Sequence, residues 1–131
     1  MARDLLHEAV KHALIKDGWT ITHDPLLLSF GTTNVYVDLA AEEHDKIIAV
    51  ESKSFSGAST VTDLERALVK HALYRSLMRE QDPSRTLHVA VSERAFNSFV
   101  GLPATMSVLR DEGVRLIVFD PDKEVVVSWM S

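Results

Sequence analysis

A mixed α/β fold, one central sheet flanked by helices, is what this 131-residue sequence predicts, and three observations carry it. Residues 47–50 are a short, continuously apolar run, the pattern of a strand covered on both faces; 87–91 read as another buried strand, and 114–119 carry an apolar run that resembles the first. Residues 3–16 and the stretch from Thr60 to about Arg79 space their apolar side chains as helices that lie against a sheet. Turn-forming pairs, among them Asp17-Gly18, Asp24-Pro25 and Asp82-Pro83, separate the segments.

In chain order, the first helix carries Leu5, Leu6, Ala9, Val10, Ala13 and Leu14 along one side and ends at Asp17-Gly18. Residues 19–23 alternate bulky and small side chains as a half-buried strand. After turns at Asp24-Pro25 and Gly31, residues 35–39 form a second strand, with Val35, Val37 and Leu39 on one face and Tyr36 and Asp38 on the other. A charged loop, residues 42–46, leads to the strand that ends in Glu51-Ser52-Lys53. Gly57 marks a loop, Ser59 or Thr60 caps the long helix, and Asp63 completes a weak capping box. Its apolar positions, Val61, Leu64, Leu68, Leu73 and Leu77, make a broad stripe. Beyond Asp82-Pro83 come a buried strand, helical pieces broken at Gly101 and Pro103, and two final strands at residues 114–119 and 125–129. The predicted order is αβββαβ followed by αββ, in one domain spanning residues 1–131.

The absence of cysteine excludes disulfides, iron–sulfur clusters and thiol nucleophiles, and points to a reducing, cytoplasmic location. No apolar run approaches the roughly 20 residues of a membrane span, and the opening residues read as an amphipathic helix rather than a signal peptide. A net charge of −5 argues against a protein that coats nucleic acid non-specifically, but suits a site built from carboxylates awaiting a cation. The six histidines form no HExxH pattern, and no Gly-x-Ser-x-Gly elbow surrounds Ser52 or Ser54, so zinc hydrolase and serine hydrolase chemistries are disfavoured.

The constellation that carries chemistry is Asp38, Glu51 and Lys53. Glu51 and Lys53, two apart on a strand, project from the same face, and Ser52 projects from the other with Ile48 and Val50. If residues 35–39 and 47–53 pair as a hairpin, strands about 4.8 Å apart bring the Asp38 and Glu51 carboxylates to one cation. Mg²⁺, or Mn²⁺ in its place, accepts such a pair, keeps several waters and leaves room for a phosphate; the Ser52 carbonyl offers a further ligand. Lys53 then positions a water and stabilises charge in the displacement. The alternative reading of Glu51 and Lys53 is an exposed edge pair contributing about 0–1 kcal/mol.

With Glu8 on the first helix and Tyr74 on the long one, this order of residues resembles the PD-(D/E)XK nuclease superfamily. More closely, residues 13–25, the string Val50-Glu51-Ser52-Lys53-Ser54-Phe55, Asp63-Leu64-Glu65 and residues 116–121 resemble the XisH family. That resemblance spans nearly the whole chain and implies a restriction-endonuclease-like core. It also implies a role in controlling excision of the fdxN element, a programmed DNA rearrangement carried out by a site-specific recombinase, beside a partner called XisI. It implies Asp38, Glu51 and Lys53 as the active centre and Glu8 as an accessory acid. Relatives with this kind of site commonly carry Gln four residues before the helix tyrosine; here the position is Lys70, which can meet a phosphate as a point charge but cannot accept a hydrogen bond.

Lys70, Tyr74, Arg66 and Arg75, with His71, give the long helix a basic side suited to DNA, against the commoner explanation of a solvated helix face. Two functions follow. One is a Mg²⁺-dependent endodeoxyribonuclease, for which a homodimer is expected if it makes two cuts, because two cuts need two centres. The other is a catalytically silent regulatory module of the same fold that binds XisI or a recombinase.

Overall fold

The computed structural model describes residues 2–56 and 59–131; Gly57, expected in the loop before the long helix, lies outside them. The chain runs α1 (Ala2–Lys16), β1 (Thr20–His23), β2 (Leu26–Phe30), β3 (Thr33–Val37), β4 (Leu39–Glu43), β5 (Lys46–Ser52), α2 (Thr60–Gln81), β6 (Thr86–Ser92), a short turn α3 (Glu93–Ala95) continuing into a π-helical turn (Phe96–Val100), α4 (Pro103–Asp111), β7 (Arg115–Asp120) and β8 (Val125–Met130).

Six strands form one mixed sheet in the order β1-β4-β5-β6-β7-β8. The pairs β5–β6 and β6–β7 are parallel and the outer pairs antiparallel. Parallel neighbours need a crossover, which α2 supplies between β5 and β6, and α3 to α4 between β6 and β7. The apolar run in β5 is covered on both sides, as predicted. Ile48 and Val50 pack with Val10, Ala13 and Leu14 of α1 on one face. On the other, Ala49 packs with Tyr74 and Met78 of α2. Leu64 of α2 and Leu109 of α4 share a cluster with Val89, Val91 and Leu116, so both crossovers lie on the face opposite α1.

The predicted element order needs correction: five strands, not three, precede α2. Leu26–Phe30 pairs with Thr33–Val37 as a separate two-stranded ribbon around Gly31, whose φ of 61° suits a tight turn. The ribbon buries Leu26, Leu28 and Val37 against α2. The charged loop expected over residues 42–46 is mostly strand. Leu39–Glu43 pairs with β5, and the acidic residues Glu42 and Glu43 fall at the strand's end, where they reach water without breaking the ladder. The single strand expected over residues 35–39 divides at Asp38, where the chain bends out of the ribbon and enters the main sheet.

The long helix is also less regular than its predicted stripe. Ser59 caps it by accepting from the Thr62 amide at 3.2 Å, but Val61 is exposed, and Asp63 and His71 are buried along with Leu64, Tyr74 and Met78. The break at Gly101 is steric: a Cβ there would lie 2.8 Å from the carbonyl oxygen of Phe96, which accepts the Gly101 amide.

Candidate functional site

Asp38 and Glu51 meet where β4 and β5 begin and end. The register pairs Leu39 with Val50, so the next positions along are Asp38 and Glu51. The Asp38 amide donates to Glu51 Oε1 at 3.0 Å. Both acids are more than nine-tenths buried. The Asp38 carboxylate does not extend the strand alternation, because the chain bends at this residue. Its Oδ2 accepts from both the amide and the hydroxyl of Ser52, each at 2.9 Å, taking the place a ladder carbonyl would fill. The two carboxylates are therefore neighbours turned to different partners, Asp38 toward Ser52 and Glu51 toward α2.

Glu51 and Lys53 project to the α2 face, as predicted from their spacing. They line a cleft of about 270 Å³ whose other wall is Arg66, Lys70, His71 and Tyr74. The Lys70 ammonium sits 2.5 Å from Glu51 Oε2 and 5.6 Å from the centroid of the Tyr74 ring. Burial, together with the negative charge of Asp38, raises the proton affinity of Glu51 above the ordinary carboxylate range despite the opposing pull of Lys70. Burial pushes the Lys70 pKa down, but the hydrogen bond and charge of Glu51, with Tyr74 and Asp38, together outweigh it and the net shift is upward. Lys53 lies 3.8 Å from Asp63 on the first turn of α2. Nothing in the spacing of the sequence tied Asp63 to this site; only its early place on the helix hinted at it.

The remaining expected site residues divide. Tyr74 is a packing residue whose ring belongs to the α2 cluster, and Arg66 lines the cleft. Arg75 points elsewhere, donating to the Glu112 carbonyl at 3.0 Å. Glu8 is half exposed; it stands 3.7 Å from His12 and joins His7 and Asp24 in a group whose ligand atoms lie within 4.8 Å of one another. Asp24 in that group already pairs with His7 and Lys11, at 2.7 and 2.8 Å.

The oxygen donors at the strand ends, the Asp38 and Glu51 carboxylates, are of the type that could hold a hard divalent cation. Two adjacent buried carboxylates, one of them with raised proton affinity, are an excess of negative charge that calls for a cation, and at present the Lys70 ammonium meets part of that need. Fold and site together define a mixed α/β protein with a buried acidic pair at the end of its sheet.

A family model described as XisH protein matches residues 1–127, and the chain belongs to the XisH family. It is similar to the crystal structure of an XisH family protein from Nostoc punctiforme PCC 73102, with 36% identity and a TM-score of 0.91 over 98% of this chain and 100% of that one. It is equally similar to the crystal structure of an fdxN element excision controlling factor protein from Anabaena variabilis, with 37% identity and a TM-score of 0.91 over 98% of this chain and 99% of that one. No match to a curated protein is found. Among the described residues, no helix is long and apolar enough to cross a membrane.

Proposed function

We propose that this chain is a DNA-processing protein of the excision-control type, built on a PD-(D/E)XK nuclease core, with a Mg²⁺-dependent phosphodiesterase site at Asp38, Glu51 and Lys53. The observation that carries the reading is that two buried acids stand at adjacent positions on paired strand ends, close enough for the charge of Asp38 to raise the proton affinity of Glu51, with an amine two residues beyond Glu51. Asp38 and Glu51, with the Ser52 carbonyl, would hold Mg²⁺ or Mn²⁺. Such a cation supplies a Lewis acid for phosphate oxygens and lowers the pKa of water.

The chain's own residues do the rest. Ser52 fixes the Asp38 carboxylate through two hydrogen bonds and so restricts how it can turn. Burial keeps the acids away from bulk water, which strengthens any charge interaction made there. Lys53, partly exposed at the cleft, is placed to orient a water and to stabilise charge developing on a phosphodiester. Lys70 and Arg66 on the facing helix offer the positive wall that a nucleic acid backbone needs.

One observation favours a second reading. With Lys70 bonded to Glu51, the acid pair is already partly neutralised without metal, as suits a silent module that works through an XisI-like partner or a recombinase. The test is incubation of the protein with single-stranded, duplex and branched DNA in Mg²⁺ or Mn²⁺, beside Asp38→Asn and Lys53→Ala. Cleavage by wild type that both variants lose supports the enzyme. Equal inertness of all three proteins, with partner binding intact, supports the module. Sedimentation of the same samples reports whether a homodimer forms.

A further inference from the structure

Half of the chain's eight arginines converge on one cleft that the candidate site does not include. Arg75 and Arg79 of α2, Arg85 before β6 and Arg115 at the start of β7 line a hollow of about 90 Å³ beneath the C-terminal half of α2. Arg85 is committed, with Nε 2.7 Å from Asp82 and a guanidinium nitrogen 3.0 Å from the Ile48 carbonyl. Arg75 reaches only a backbone carbonyl. Arg79 and Arg115 make no side-chain hydrogen bond or ion pair among the described residues, and no carboxylate lines the hollow. Among the described residues, three guanidinium groups thus line a hollow with no carboxylate in its wall, in a chain whose net charge is −5.

The local field is visible in the neighbouring imidazoles. Burial first, then the charges of Arg75 and Arg115, lower the pKa of His71 to about 4, and burial with Arg115 does the same for His88. Gathering like charges is unfavourable unless an anion completes the arrangement. A hollow of this size holds roughly three waters' worth of volume, which suits a phosphate group. The planar fork of arginine matches phosphate oxygens in pairs.

We propose that Arg75, Arg79 and Arg115 form a phosphate-binding cleft that grips the backbone of a nucleic acid a few nucleotides from the Glu51 site. The two hollows share His71 and Leu87 in their walls and are therefore neighbours beneath α2. From Lys70 to Arg79 the helix rises about 14 Å, or roughly four steps of one DNA strand. The anion site stands on the arginines alone; that its phosphate belongs to DNA rests on the function proposed above.

Binding is tested in EDTA, where no cleavage can intervene, by anisotropy of a labelled 20-base-pair duplex across a salt series. The proteins are wild type, the Arg79→Ala/Arg115→Ala double variant, the matching Lys double variant and Asp38→Asn. Inorganic phosphate and poly-glutamate are titrated in parallel. The expected result is that the Ala double variant binds duplex at least about tenfold more weakly at low salt and loses about 1.8 from the salt slope, and the Lys variant keeps most of that slope. Equal affinity and slope in wild type and Ala variant would overturn the proposal. So would binding of inorganic phosphate or poly-glutamate that the Ala variant loses while duplex binding stays the same. Both exchanged side chains are exposed, so unchanged thermal unfolding confirms intact folding, and the Lys variant gives the same reading if the Ala variant unfolds early. Should the Ala double variant lose duplex binding that Asp38→Asn keeps, while wild type cleaves nothing with Mg²⁺, the phosphate cleft stands and the nuclease reading falls.

Discussion

The Lys70 ammonium lies 2.5 Å from Oε2 of Glu51, on the opposite wall of the cleft, and supplies positive charge where two buried acids abut. Truncating it removes that charge from a pair that cannot be rehydrated. Lys70→Ala is expected to destabilise the metal-free protein by about 1–3 kcal/mol, the usual result of leaving a buried charge unpaired. Because a divalent cation can then take the vacated place, 10 mM Mg²⁺ is expected to raise the unfolding midpoint of Lys70→Ala by more than that of wild type. Equal shifts in the two proteins would show that Lys70 does not compete for the acids.

Glu51 holds its proton more tightly in the folded protein than in the unfolded chain, chiefly through burial. A carboxyl with a raised folded pKa stabilises the fold at low pH, and that contribution is lost as pH rises through the folded value. Glu51→Gln is therefore expected to unfold a few degrees above wild type at pH 7.5, the size of a change of about 1 kcal/mol in a chain this long. The advantage should shrink toward pH 4.5. Calorimetry at both pH values checks it.

The two buried imidazoles work in the opposite sense. His71 and His88 have folded pKa values of about 4 against an ordinary 6.5, so the unfolded chain takes up protons first. Their contribution is complete above pH 6.5 and falls away between 6.5 and 4, by at most about 3 kcal/mol for each residue. Urea midpoints measured across that window should drop steeply, and less steeply in His71→Gln.

Ser52→Ala keeps the amide bond to Asp38 but deletes the hydroxyl bond. A loss of about 1 kcal/mol is expected from urea unfolding. A looser Asp38 should also weaken Mn²⁺ binding, measured by calorimetric titration, and an unchanged Mn²⁺ affinity would show that the amide alone fixes the carboxylate.

Lys53 and Asp63 form a loose, partly exposed pair at 3.8 Å. Lys53→Ala should change stability by less than about 1 kcal/mol. Any loss of cleavage in that variant, with melting unchanged, is then a loss of chemistry.

The sequence was most readable where burial is symmetrical and local. The apolar runs in β5, β6 and β7 are hydrophobic on both faces because helices cover both. The ribbon escaped notice because Leu26, Leu27 and Leu28 give no alternation, although the fold buries the first and third and exposes the second. Glu42 and Glu43 suggested a loop because charge at a strand's end looks like charge in a turn. At the site, two-residue spacing was enough to put Glu51 and Lys53 on one face. The contact of Lys70 with Glu51 depends on how α2 docks, and the hydrogen bonds from Ser52 to Asp38 depend on a bend, so neither could be read from spacing. The convergence of Arg75, Arg79 and Arg115 is likewise a product of the two crossovers, which lay α2 over the sheet and set the start of β7 beside β6.

The bend at Asp38 makes one residue the junction between the small ribbon and the six-stranded sheet. Its amide and its carboxylate are both fastened to β5, so no slack separates the ribbon's last residue from the acid pair. The ribbon's outward side chains, Leu27, Phe30 and Tyr36, are exposed. Whatever leans on them applies its force through the bend at which the Asp38 carboxylate is anchored.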